Sequence, residues 1–155
     1  MYTGRFSVSK GEIVYANNPE LATLIQHYSH DIASKSPNIS HDDLSLMAFR
    51  ILIKLEDLDD RYKATEKKQQ QEFGIIKSQL YNEIIQFYQL ANNKWMVTGK
   101  YAISALNEID PNICDTICDT FISLNIEDID NLINGILNFY GCGRQDIFND
   151  MQFDL

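Results

Sequence analysis

Apolar positions recur at intervals of three and four over most of this chain, and the stretch from Glu66 to Asn93 holds the longest such run without a proline. Phe73, Ile76, Leu80, Ile84, Phe87 and Ala91 fall on one helical face. Ile75, Tyr81, Ile85 and Tyr88 flank that face. The back half of this helix is therefore apolar around much of its circumference, which predicts a central position in the fold. Asn92-Asn93 then offers side chains that tolerate the left-handed turn closing a helix.

The same reading extends to both sides. Asn18-Pro19-Glu20 combines a capping side chain, a proline at the first helical position and an acidic first turn. Leu21, Leu24, Ile25, Tyr28 and Ile32 mark the inward face of the helix that follows, which runs to about Ser34. Ser40 with Asp43 forms an acidic capping box, and Leu44, Met47, Ile51, Leu55, Leu58 and Tyr62 form a clean stripe behind it. Continued by threes and fours, that stripe lands on Thr65, Gln69 and Glu72, and the apolar pattern restarts in a new phase at Phe73. This predicts a break near Ala64-Thr65, with Thr65 capping the central helix. The alternative is one helix of about 50 residues, which is long for a globular domain.

Beyond Trp95 the elements shorten. Met96 to Ile109 reads as a helix with Tyr101, Ala102, Ala105, Leu106 and Ile109 inward, stopped by Asp110-Pro111. Residues 112–124 carry Ile113, Ile117, Phe121 and Leu124, and Ile126 to Tyr140 carries Ile129, Leu132, Ile133, Ile136 and Leu137 before Gly141-Cys142-Gly143. A last short segment covers Asp146 to Phe153. The N-terminus differs: Arg5 to Val8 and Glu12 to Tyr15 alternate polar and apolar around Ser9-Lys10-Gly11, the pattern of a hairpin. A two-stranded ribbon is marginal alone and must lie on something else.

The expected fold class is all-α: a bundle of roughly five to seven helices over residues 18–155, preceded by a short β-hairpin over residues 1–16, in one domain. Leu24, Leu44, Ile51, Leu55, Ile76, Leu80, Ile84, Phe87, Ile117 and Leu132 are its expected core.

Composition narrows the function classes. With 155 residues, 45% of them hydrophobic, the chain can bury a core without covalent staples. A formal charge of -9 argues against direct nucleic-acid binding, which calls for a basic face. The lysine run Lys63, Lys67 and Lys68 beside Glu66 reads as a solvated helix surface. No run of about 18 apolar residues is present to span a membrane. Three cysteines without an apolar N-terminal signal segment point to the cytoplasm rather than to a secreted disulfide framework. Cys114 and Cys118 share a helix face beside Ile113, Ile117 and Phe121 and read as small buried hydrophobes; a metal site with Cys142 is the alternative, although a structural zinc site shows two tight ligand pairs.

The remaining chemistry is sparse. His27, His30 and Asp31, with His41-Asp42-Asp43 on the next helix, could hold a divalent metal if the two helices are antiparallel neighbours, but His30 falls at a helix end and solvated histidines are the simpler reading. Asp57, Asp59 and Asp60 lie on a helix, where residues two apart face different ways, so they read as a charged outer face and not as a metal clamp. No nucleophile elbow, phosphate loop or Ser-His-Asp arrangement occurs. Arg5, Arg50, Arg61 and Arg144 lack the histidine that would follow in a HEPN-type RNase motif. No cofactor is implied.

One resemblance covers most of the chain. The ribbon ending Gly11-Glu12-Ile13-Val14-Tyr15, the helix opening Pro19-Glu20-Leu21, two long helices, then Asn93-Lys94-Trp95, Gly99-Lys100-Tyr101 and Leu106 with Ile109-Asp110-Pro111 resemble the C-terminal helical half of nucleotidyltransferase-fold proteins related to aminoglycoside nucleotidyltransferases. In that family catalysis belongs to an N-terminal sheet domain with Gly-Ser and a strand-borne Asp-x-Asp, and no such pair stands on a strand here. The resemblance implies a non-catalytic, substrate-binding subunit of a split system, with Trp95 and Lys100 as contacts for ligand or partner. The alternative is a small acidic interaction module, inhibitor-like or antitoxin-like, that meets a basic protein. Surplus apolar surface at Tyr81, Ile85 and Tyr88 predicts a homodimer or a protein partner, unless the short C-terminal helices cover those residues.

Overall fold

The computed structural model describes residues 35–123 and 125–150, together with residues 20 and 23–27, which are helical. From residue 35 onward the elements are α1 (His41–Lys63), α2 (Lys67–Ala91), a 3-10 turn (Gly99–Tyr101), α3 (Ala102–Ile109), α4 (Pro111–Ser123), α5 (Ile126–Phe139) and α6 (Arg144–Asp150). The described residues are all-α and contain no strand. The hairpin expected over residues 1–16 lies outside them.

α1 opens with the anticipated capping box. Ser40 Oγ accepts the Asp43 N–H at 3.1 Å, and the Asp43 carboxylate accepts the Ser40 N–H at 3.4 Å, satisfying two of the donors that a helix start leaves free. The chain breaks after Lys63, where the apolar stripe loses its phase, so the single long helix is not formed. Thr65 is not the cap of α2. Glu66 holds that position and makes no side-chain capping bond.

α1 and α2 fold back on each other as an antiparallel hairpin. Arg61 pairs with Glu72 at 3.0 Å near the turn, and Lys54 pairs with Glu83 at 2.7 Å farther along. Ile51, Leu55 and Leu58 from α1 and Leu80, Ile84 and Phe87 from α2 are buried in the shared core. The second flank of α2 is closed by α4 running antiparallel to it. The Tyr81 ring lies 5.1 Å from that of Phe121 near the end of α4, while the Tyr88 hydroxyl donates to Asp110 at its start, at 3.3 Å. α5 completes the core with Ile129, Ile133 and Leu137, and α6 is tied down by Arg144, which reaches Glu56 at 3.2 Å and Asp130 at 3.5 Å.

The link after α2 departs from the pattern reading. Asn93 adopts a φ of 56°, the left-handed turn that Asn tolerates. Gln89, fully buried, accepts the Val97 N–H on its Oε1 at 2.8 Å and the Lys94 N–H on its backbone carbonyl at 2.8 Å. This pins residues 92–98 in a loop. The helix expected from Met96 therefore starts only with the 3-10 turn at Gly99 and becomes α-helical at Ala102. One consequence is that Tyr101, expected inward, is 61% exposed.

Most of the expected core is confirmed: Ile51, Leu55, Leu80, Ile84, Phe87 and Ile117 are buried, while Leu44, Ile76 and Leu132 are half-buried against them. Leu24 is a correction, being 66% exposed. The core cluster closes from members between Ala48 and Ile147 without it.

Truncation should separate these positions. Phe87→Ala should lose about 3–5 kcal/mol in urea unfolding, and Leu24→Ala less than about 0.5 kcal/mol. Equal losses would contradict the placement of the core. The thiols give a second check, because Cys114 and Cys142 are buried and burial raises both thiols above their ordinary pKa, whereas Cys118 is half-buried. Native protein treated with N-ethylmaleimide should be alkylated first at Cys118, read by peptide mass.

Candidate functional site

Two grooves open at opposite ends of the α2–α4 seam. The first, of about 480 Å³, lies between the start of α4 and the length of α5. Leu132, Gly135, Ile136 and Phe139 supply one wall at helical spacing, and Ile113 faces them from α4. Gly135 is the open point of that wall, since a Cβ built there meets nothing within 4 Å. Phe139 stands at the groove's edge, 80% exposed.

The polar end of this groove is built by Asp110 and Tyr88. Asp110 Oδ1 caps α4 by accepting the N–H groups of Asn112 at 3.0 Å and Ile113 at 3.1 Å, while Oδ2 accepts the Tyr88 hydroxyl. One carboxylate thus fixes a helix start and one edge of the groove. Burial, then Tyr140 and Asp110, push the Tyr88 phenol above its ordinary pKa, so it stays protonated and donates. Tyr140 stacks edge-on to Tyr88 and accepts from Asn92 Nδ2 at 2.6 Å, which ties the end of α2 to the end of α5.

The stretch that supplies most of this groove's wall is one-signed in sequence. Between Ala102 and Gly143 the chain carries seven carboxylates, from Glu108 to Asp130, and no Lys or Arg, so this stretch holds seven of the nine net negative charges. Glu127 and Asp128 lie one turn before Asn131 and Leu132 and extend the groove wall of α5 with exposed acids. The segregation is visible in the sequence as a run of 43 residues, between Lys100 and Arg144, without a basic side chain. Periodicity reading passes over it because it attends to apolar positions.

The second groove, of about 670 Å³, lies between α2 and the end of α4 and is bordered by Phe73, Lys77, Tyr81, Cys118 and Ile122. The Tyr81 hydroxyl and the Cys118 thiol are 3.4 Å apart. Burial and this thiol raise the Tyr81 phenol above its usual pKa.

The candidate residues from the sequence are thereby distributed. Tyr81 lines the second groove and Tyr88 the first, while Ile85 between them is only 1% exposed and belongs to the core. The short C-terminal helices cover much of the apolar surplus of α2. Trp95 is half-buried and donates its Nε1–H to the Lys35 carbonyl at 2.8 Å. Lys100 is exposed, with Nζ 4.9 Å above the Tyr101 ring. Neither lines the two grooves.

His27 and His41 are exposed, and His30 lies outside the described residues. His41 instead faces Ser45, with Nδ1 3.3 Å from its Oγ, and Cys142, with Nε2 3.9 Å from its Sγ. Among the described residues no three His, Cys, Asp or Glu side chains are placed to hold a metal ion. Asp59 is paired with Lys63, and Asp57 and Asp60 are exposed. No helix among the described residues is long and apolar enough to cross a membrane. Comparison with known protein families, with characterised proteins and with solved structures returns no match.

Proposed function

We propose that this chain is a non-catalytic helical binding module that receives an apolar segment of a basic protein partner in the α4–α5 groove. The observation that carries this reading is an apolar groove, with Phe139 exposed beside it, set in a stretch that has seven carboxylates and no basic residue. Apolar anchors supply affinity in such a surface, and the surrounding charge supplies steering and selects the partner's sign.

Two identities for the partner follow from the sequence. In the nucleotidyltransferase-like reading it is a separate catalytic subunit that this helical half completes. In the inhibitor-like or antitoxin-like reading it is a basic protein whose nucleic-acid surface is occupied. The acidic composition of residues 102–143, which supply most of the groove wall, favours the second, because exposed carboxylates imitate the phosphates that such a surface expects. Self-association through the same groove is disfavoured by repulsion between like-charged walls.

An amphipathic helical peptide of leucine and lysine is the probe for the groove, titrated into isotope-labelled protein and followed by amide chemical shifts. Shifts should cluster at residues 110–139 and weaken as salt is added. Phe139→Ser should reduce affinity about tenfold, about 1.4 kcal/mol, while stability changes by less than about 0.5 kcal/mol because the ring is exposed. Equal binding of a leucine and glutamate peptide, or shifts centred elsewhere, would overturn the proposal.

A further inference from the structure

The α2–α4 groove differs in chemistry from its counterpart. Phe73, Gly74, Lys77, Ser78 and Tyr81 recur along one face of α2 and look across at Cys118, Phe121 and Ile122 of α4. The walls are apolar, and Ile122 is 75% exposed at the rim. Gly74 leaves the α2 wall open, since a Cβ built there meets nothing within 4 Å. Its volume of about 670 Å³ falls inside the range of roughly 300–1,000 Å³ typical of small-molecule sites.

Among the described residues Lys77 is the single charged side chain on these walls. Lys54, Arg61, Lys63 and Arg144 each have a carboxylate partner, whereas no described carboxylate pairs with Lys77. Lys77 as a residue is half-buried, its stem lying along the groove wall, and the desolvation that remains at its ammonium lowers the pKa from the ordinary value. Tyr81 and Cys118 satisfy each other. The polar groups left open beside Lys77 are therefore the Gln70 amide and the Ser78 hydroxyl.

A cation with no counter-ion among the described residues, an open amide and hydroxyl beside it and an apolar trough describe the complement of an amphipathic monoanion. A phosphate ester would bring more charge than one lysine offsets in a chain of net charge -9. An inorganic anion would leave the apolar walls uncovered. We propose that the α2–α4 groove binds a small apolar carboxylic acid, of the class of medium-chain alkanoic or arylalkanoic acids. The carboxylate meets Lys77 Nζ and the Ser78 hydroxyl, and the hydrocarbon lies over Gly74 between Phe73, Phe121 and Ile122. This site is separate from the α4–α5 groove and does not depend on the partner proposed there.

Titration calorimetry with decanoate and decanol, both below their aggregation limits, tests the assignment on the full chain. Decanoate should bind more tightly than decanol and should slow the alkylation of Cys118 by N-ethylmaleimide. Lys77→Met should weaken decanoate about tenfold and leave decanol unchanged. Gly74→Leu, which fills the groove from a helical position, should abolish both ligands while the circular dichroism stays that of the parent. Equal affinity for acid and alcohol in the parent protein, unchanged decanoate binding in Lys77→Met, or retained binding in Gly74→Leu would each overturn the proposal.

Discussion

Everything in this fold depends on α2 being buried along two flanks at once. One flank is taken by α1, through Ile51, Leu55 and Leu58, and that pairing is fixed in register by the Arg61–Glu72 and Lys54–Glu83 ion pairs. These pairs are partly solvated and contribute about 0–1 kcal/mol each, so they set alignment while apolar burial supplies the stabilisation. The other flank would remain open in a two-helix hairpin. Tyr81, Ile85 and Tyr88 require a third element there, and α4 supplies it, held at one end by Phe121 and at the other by Asp110.

That second closure also generates the candidate sites. α4, with 13 residues, is about half as long as α2, with 25, so the seam between them leaves a groove at each end. Cys118, Phe121 and Ile122 border one, and Asp110 and Ile113 border the other. The two differ in charge because α2 supplies Lys77 to the α2–α4 groove, whereas the α4–α5 groove is walled mainly by α5 from a stretch with no basic residue. A single packing constraint thus presents two apolar surfaces of different sign.

Much of the helical architecture was legible in the sequence because helix phase is a local property. The break between α1 and α2 follows from an apolar stripe that runs out at Tyr62 and restarts at Phe73, and the Ser40–Asp43 box and the Asp110-Pro111 stop are likewise read from near neighbours. Tyr101 was misplaced because the loop before it is held by Gln89, a polar side chain in the core, which no apolar pattern marks. Leu24 sits on a well-formed amphipathic stripe, yet whether a stripe is covered is decided by tertiary packing. Of the candidate site, the acidic run was present in the sequence as charge segregation. Lys77 was not legible, since its meaning lies in the carboxylates that do not reach it. Trp95 and Lys100 follow from a resemblance in the order of motifs, and they line neither groove.

Native-state hydrogen exchange of the backbone amides, followed under increasing denaturant, tests the dependence on α2 most directly. Amides between Leu80 and Leu90 should exchange only through global unfolding, because that stretch is enclosed on both flanks. Those of α5 near Asn138 and of α6 should open earlier, at lower free energy. If the Leu80 to Leu90 amides instead open before those of α4 and α5, α2 is not the element on which the other helices depend, and the account is wrong at its centre.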